Sequence, residues 1–196
     1  MERTGKNQTK LKKLTGIALF TAIVAVLQLL GTPLKLGPFA GAVVLVPIAI
    51  GAAVYGVGAG AWLGFVFGVI VLLSGDAAAF LAISIPGTIV TVLLKGTLAG
   101  LCSGLLYRLL EKINVWLAGI AAAVICPVVN SGVFLLGCRF FFFDTIIQWA
   151  GGSGYAGHPV QYMFLGLIGV NFLVELGISV LCTPLIVRMI KAGKKI

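Results

Sequence analysis

Two ionisable residues in this 196-residue chain stand deep inside apolar runs: Lys95 and Glu175. An ionisable side chain in hydrocarbon is costly and requires a partner or a purpose. Lys95 precedes Arg108 by thirteen residues, and Glu175 precedes Arg188 by thirteen. In helices rising 1.5 Å per residue, each group then lies about 20 Å from its basic anchor. Asn130 follows Trp116 by fourteen residues, which puts it about 21 Å along an antiparallel helix. Asn171 shares a helix face with Glu175, four positions earlier. A cation, an anion and two amides converging on one half of the bundle, Asn171 one turn outward of the others, allow three kinds of chemistry. A Lys95–Glu175 ion pair would fix helix register and bind nothing. The same groups would also suit a polar ligand, or a proton or solute path through a self-contained small permease or channel.

Other chemistries lack their residues. The sequence contains no G-x-x-x-x-G-K-[ST] phosphate loop, no H-E-x-x-H and no G-x-S-x-G, so neither P-loop ATP hydrolysis nor the common zinc or serine hydrolase chemistries are expected. Asp76 stands alone in a short connector, and His158 has no neighbouring ligand set. Cys102, Cys126, Cys138 and Cys182 are isolated in apolar stretches and read as inert membrane thiols. The expectation is a protein that is not an enzyme and carries no cofactor or metal.

The elements that position these groups follow from composition. Hydrophobic residues make up 60% of the chain and charged residues 10%, against about 25% charge in soluble domains. Breaks at glycine, proline and charge delimit six apolar segments at 14–30, 39–55, 57–73, 82–107, 115–138 and 162–187. Each can cross or nearly cross a bilayer. The fold class expected is an all-α membrane protein, a six-transmembrane-helix bundle with both termini cytoplasmic. Its organisation is a basic cytoplasmic tail (1–13), a single transmembrane domain (14–190) and a second basic tail (191–196). The run from Leu14 to Leu30 is followed by Gly31-Thr-Pro-Leu-Lys35 without an A-x-A site, and reads as a retained first helix rather than a signal peptide.

Charge supports that topology. The formal net charge is +9, and apart from Lys35, Lys95 and Arg139 the basic residues fall before the first segment, in the 108–112 break, or at the chain end. Such clusters mark cytoplasmic loops and anionic lipid, not nucleic acid. Connectors 31–38, 74–81 and 139–161 then face outward. The last begins Arg139-Phe-Phe-Phe-Phe-Asp144 and continues through a glycine-rich stretch, which suggests an ordered interfacial piece able to move as a lid. Arg139 and Asp144 serve there either as headgroup anchors or as caps over a ligand.

Small residues recur at helical spacing. Gly56, Gly60, Gly64 and Gly68, and Gly96, Gly100 and Gly104, each line one face. These faces suit tight internal packing or a surface that slides against a partner. Pro47 and Pro127 fall within segments and favour kinks, whereas Pro86 and Pro184 lie near segment ends.

Size, six segments, inward termini and basic ends together resemble the substrate-binding S components of energy-coupling factor (ECF) transporters. Ala18-Leu-Phe-Thr-Ala22 looks like that family's A-x-x-x-A motif. The stretch from Lys95 to Arg108 resembles its fourth helix, and Asn171-Phe-Leu-Val-Glu175 its sixth. The resemblance implies a multi-pass protein of the prokaryotic cell membrane that captures a water-soluble vitamin beneath outer loops. It also implies delivery with a transmembrane coupling subunit, docked on Ala18 and Ala22, and two ATPase subunits. Lys95, Asn130, Arg139, Asn171 and Glu175 would bind substrate. Lys95 and Arg139 would suit a carboxylate-bearing vitamin such as pantothenate or folate.

Overall fold

The computed structural model describes residues 2–31 and 39–193, with side chains at 10–31 and 43–192. The expected connector beyond Gly31, Lys35 within it, the side chains of Arg3 and Lys6, and Lys194 and Lys195 lie outside the described residues. Every regular element among the described residues is helical. In chain order these are α1 (Glu2–Gly31), α2 (Phe39–Tyr55), α3 (Val57–Ser74), α4 (Ala78–Leu81), α5 (Ile85–Leu110), α6 (Val115–Phe141), α7 (Phe143–Gly152) and α8 (Pro159–Gln161). A π-helical segment (Tyr162–Leu167), α9 (Gly169–Leu181) and α10 (Thr183–Gly193) complete the order.

The all-α expectation holds. Among the described residues, Lys10–Gly31, α3, α5 and α6 are each long and apolar enough to cross a membrane. Pro159–Leu167 and Gly169–Leu181, bent by 43°, make a fifth span if taken together, and Val43–Tyr55 is a shorter apolar helix. Large apolar side chains such as Leu14, Leu73, Leu109, Leu136 and Leu181 are exposed, as lipid-facing positions require and water-facing ones do not. The chain is therefore a multi-pass membrane protein.

Local chemistry sets the helix ends. α5 starts at Ile85, three residues later than expected, because Ser84 is its N-cap and accepts a hydrogen bond from the Gly87 amide at 3.3 Å. Pro86 falls in the first turn, where a missing N–H costs nothing. Asn114 caps α6 by accepting from the amides of Trp116 and Leu117 at 2.7 and 3.3 Å. The expected final segment 162–187 is not one helix, since the backbone leaves α geometry in the π-helical segment and breaks again at Cys182. Pro184 explains the second break: a proline lacks the donor needed to continue α9, yet fits the first turn of α10. The supposed long loop after 138 is mostly helix as well, because α6 runs on to Phe141 and α7 follows directly.

α2 forms the axis of the bundle and packs against α1, α3, α5, α6, α9 and α10. Its Val44, Leu45 and Ile48 are fully buried with Leu63 of α3 and Ala99 of α5. Lipid tails supply little hydrophobic drive between helices, so close backbone contact must hold them together. The glycine ladders provide it. A Cβ on Gly64 would fall inside the Gly96 carbonyl, and one on Gly68 would lie 2.8 Å from the Val92 oxygen. Gly60, Gly64 and Gly68 thus interlock α3 with α5 inside the chain, which leaves them unavailable as a sliding surface for a partner, whereas Gly56, expected on the same face, precedes α3 at φ 98° with open space around it. Ser103 adds a hydrogen bond from its Oγ to the Ala122 carbonyl at 2.9 Å, tying α5 to α6.

A second, smaller core lies under α7, where Cys138, Phe142, Ile146 and Met163 are buried together. Phe80 of α4 packs edge-on against Phe134, Phe142 and Trp149 at 5.4, 5.1 and 5.6 Å between centroids. This aromatic knot fixes the connecting helices over the bundle.

Candidate functional site

A cavity of about 550 Å³ opens within the bundle, inside the range typical of small-molecule sites. Helical spacing explains its wall. Thr88, Thr91 and Lys95 are i, i+3 and i+7 on α5, so they share one face. Asn130, Ser131 and Phe134 come from α6, Asn171 and Glu175 from α9, and Phe67 from α3. Gln28 of α1, with Asp76 and Phe80 from the α3–α5 connection, complete the polar and aromatic rim.

The floor of the cavity joins opposite charges and amides. Lys95 and Glu175 attract each other electrostatically, and Asn130 hydrogen-bonds the Glu175 side chain. The Lys95 ammonium lies over the rings of Phe67 and Phe134, 5.9 and 5.3 Å from their centroids. These rings can take up part of the ammonium's lost hydration. A carboxylate only accepts, so Asn130 must turn its amide nitrogen towards Glu175 and its oxygen away. That oxygen, Oδ1, is buried without a hydrogen-bond partner, as are Glu175 Oε2 and Thr91 Oγ1. Glu175, Asn130 and Thr91 are only 9%, 6% and 4% exposed. Buried polar atoms in native proteins are nearly always paired, and leaving one unmade costs about 1–3 kcal/mol. All three atoms belong to residues that line this cavity.

Of the residues expected to bind substrate, Lys95, Asn130, Asn171 and Glu175 line this one cavity. Arg139 does not. It is exposed near the end of α6, with its guanidinium 4.2 Å from the centre of the Phe143 ring. Asp76, read from sequence as solitary, has a partner: Gln28 Nε2 donates to its Oδ2, linking α1 to the α3–α4 connection across the cavity rim. Sequence reading missed Gln28, Thr88, Thr91 and Ser131. A step back along α5 from Lys95 by four and seven positions would have found the two threonines. Gln28 shows its role only through a contact 48 residues distant. His158 is exposed, and among the described residues no group of histidine, cysteine and carboxylate side chains is arranged to hold a metal. All four cysteines are free thiols.

Ala18 and Ala22 are both exposed on α1. Ala18 borders a surface groove lined also by Lys13, Ile17, Tyr55, Trp62 and Arg108. The Trp62 indole N–H donates to Thr21 Oγ1 at 3.2 Å, bracing the groove between α1 and α3.

A family model described as "ECF transporter, substrate-specific component" matches residues 12–187. No curated protein and no solved structure matches the chain.

Proposed function

The chain belongs to the ECF transporter substrate-specific component family, and from that premise we propose that it captures a water-soluble vitamin or related micronutrient in the cavity around Lys95, Asn130, Asn171 and Glu175. Members of this family are substrate-binding transporter subunits, not enzymes, and act with an ECF energising module. The observation that carries the proposal is the set of unpartnered buried atoms, Thr91 Oγ1, Asn130 Oδ1 and Glu175 Oε2, around a hollow of small-molecule size.

Topology supports capture from outside. In this reading the 17-residue α2 is the sixth crossing, because ~17 apolar residues suffice for a thin span. Both termini are then cytoplasmic, in the prokaryotic plasma membrane. Lys191 of α10 lies 5.5 Å from the Trp116 ring at the start of α6, an aromatic and basic pairing that suits the inner interface. The cavity falls in the outer half, beneath α4 and α7. Delivery requires a transmembrane coupling subunit docking on the small-residue face of Ala18 and Ala22, driven by two ATPase subunits.

Co-expression with the subunits of an energising module should give ATP-dependent nutrient uptake, while the chain alone in liposomes should give none. Equal uptake by the chain alone would reverse the assignment in favour of a self-contained permease.

A further inference from the structure

Charge alone directs attention to Lys95 and suggests a carboxylate ligand, but the unpartnered atoms of the cavity-lining residues point elsewhere. Glu175 Oε2 and Asn130 Oδ1 can only accept, and Thr91 Oγ1 can accept. All three belong to side chains at least nine-tenths buried. An occupant offering only carboxylate or phosphate oxygens could take the Thr91 hydroxyl proton but would place acceptor against acceptor at Glu175 and Asn130 and leave those two unpaired. The Lys95 ammonium adds a charged donor among these residues. Aromatic rings complete the lining: Phe67 and Phe134 beside Lys95, with Phe80 and Phe142. Edge contacts at 5.1–5.6 Å lock Phe80 in place, so the apolar wall is rigid and suits a flat π-system.

Resting on the capture reading above, we propose that the occupant is a flat nitrogen heterocycle with two or more N–H donors along one edge, facing Glu175, Asn130 and Thr91, and an oxygen acceptor beside them for Lys95. A lactam or amidine edge has this arrangement. A polar site of this kind discriminates sharply, because an analogue without the N–H leaves its buried acceptors unpaired.

The test is calorimetric titration of the purified full chain with three probes. Pterin-6-carboxylate has the ring, the N–H edge and the oxygens. 2-Naphthoate has the two rings and a carboxylate without N–H donors, and pantothenate is a flexible aliphatic carboxylate. Pterin-6-carboxylate should bind at least a hundredfold tighter than 2-naphthoate and tighter than pantothenate. Glu175→Gln, which keeps size, should reduce that preference at least tenfold, and Thr91→Val should reduce it several-fold. Thermal unfolding of each variant checks the fold, and the Thr91 variant serves if the Glu175 variant does not fold. Equal or tighter binding of either comparison probe, no binding of the pterin, or a preference unchanged in the folded variants would overturn the inference. If the pterin fails while the chain with an energising module still imports another nutrient, the ligand class alone falls. If no module-dependent uptake of any nutrient occurs, the capture reading falls with it.

Discussion

Replacing Lys95 with methionine distinguishes a ligand contact from a structural ion pair. Methionine keeps the length of the stem and can still contact the Phe67 and Phe134 rings, so lost cation–π attraction of about 0.5–1 kcal/mol per ring is partly offset by sulfur–aromatic contact. Glu175 retains its hydrogen bond from Asn130. The net stability change should therefore stay near ~1 kcal/mol, a shift of roughly 2–4 °C in Tm for a chain of this size. A hydrogen bond from a charged donor to ligand is worth about 1.5–3 kcal/mol, so the Kd should rise about 10- to 150-fold. Calorimetric binding and thermal unfolding on the same preparation read both numbers. If Lys95 instead served only to neutralise Glu175, its removal would leave a buried charge unpaired at about 3–5 kcal/mol. Tm would then drop by about 6–20 °C, the Lys95→Met/Glu175→Gln double variant would regain it, and ligand affinity of the double variant would match the unmodified protein. That pattern would refute the reasoning.

Ala18→Trp with Ala22→Trp adds bulk to an exposed face remote from the cavity lining, so co-purification with a coupling subunit should fall at least tenfold while ligand affinity stays constant. Gly64→Leu drives a side chain into the Gly96 backbone and should abolish folded yield in size-exclusion chromatography. Gly177→Ala, with open space around it, should be neutral or stabilise by up to about 1 kcal/mol in a melt. Arg139→Gln lies outside the cavity lining and should change Kd by less than about threefold, the effect of an ordinary surface substitution.

The segments that became helices were legible because lipid solvation demands long apolar runs, and glycine, proline and charge interrupt them. Equal spacing from Arg108 and Arg188 was enough to level Lys95 with Glu175, and both line one cavity. The sixth segment misled, because uniform hydrophobicity from 162 to 187 carries no sign of a backbone leaving α geometry, and only Pro184 hinted at the second break. The glycine ladders were visible, but not that they would face each other: spacing defines a face, and only packing says what the face meets. Arg139 looked like a site residue on charge, yet three further residues of helix after 138 leave it exposed, stacked on Phe143. The Gln28–Asp76 contact depends on tertiary placement of two segments that carry no shared pattern.

The central claim, that buried acceptors on α5, α6 and α9 hold a nutrient, is tested most directly by native mass spectrometry of the gently purified chain beside a folded Asn130→Leu variant. The unmodified protein should carry one added small-molecule mass per chain, and the variant should have lost it. The same mass retained undiminished by the folded variant would contradict the account.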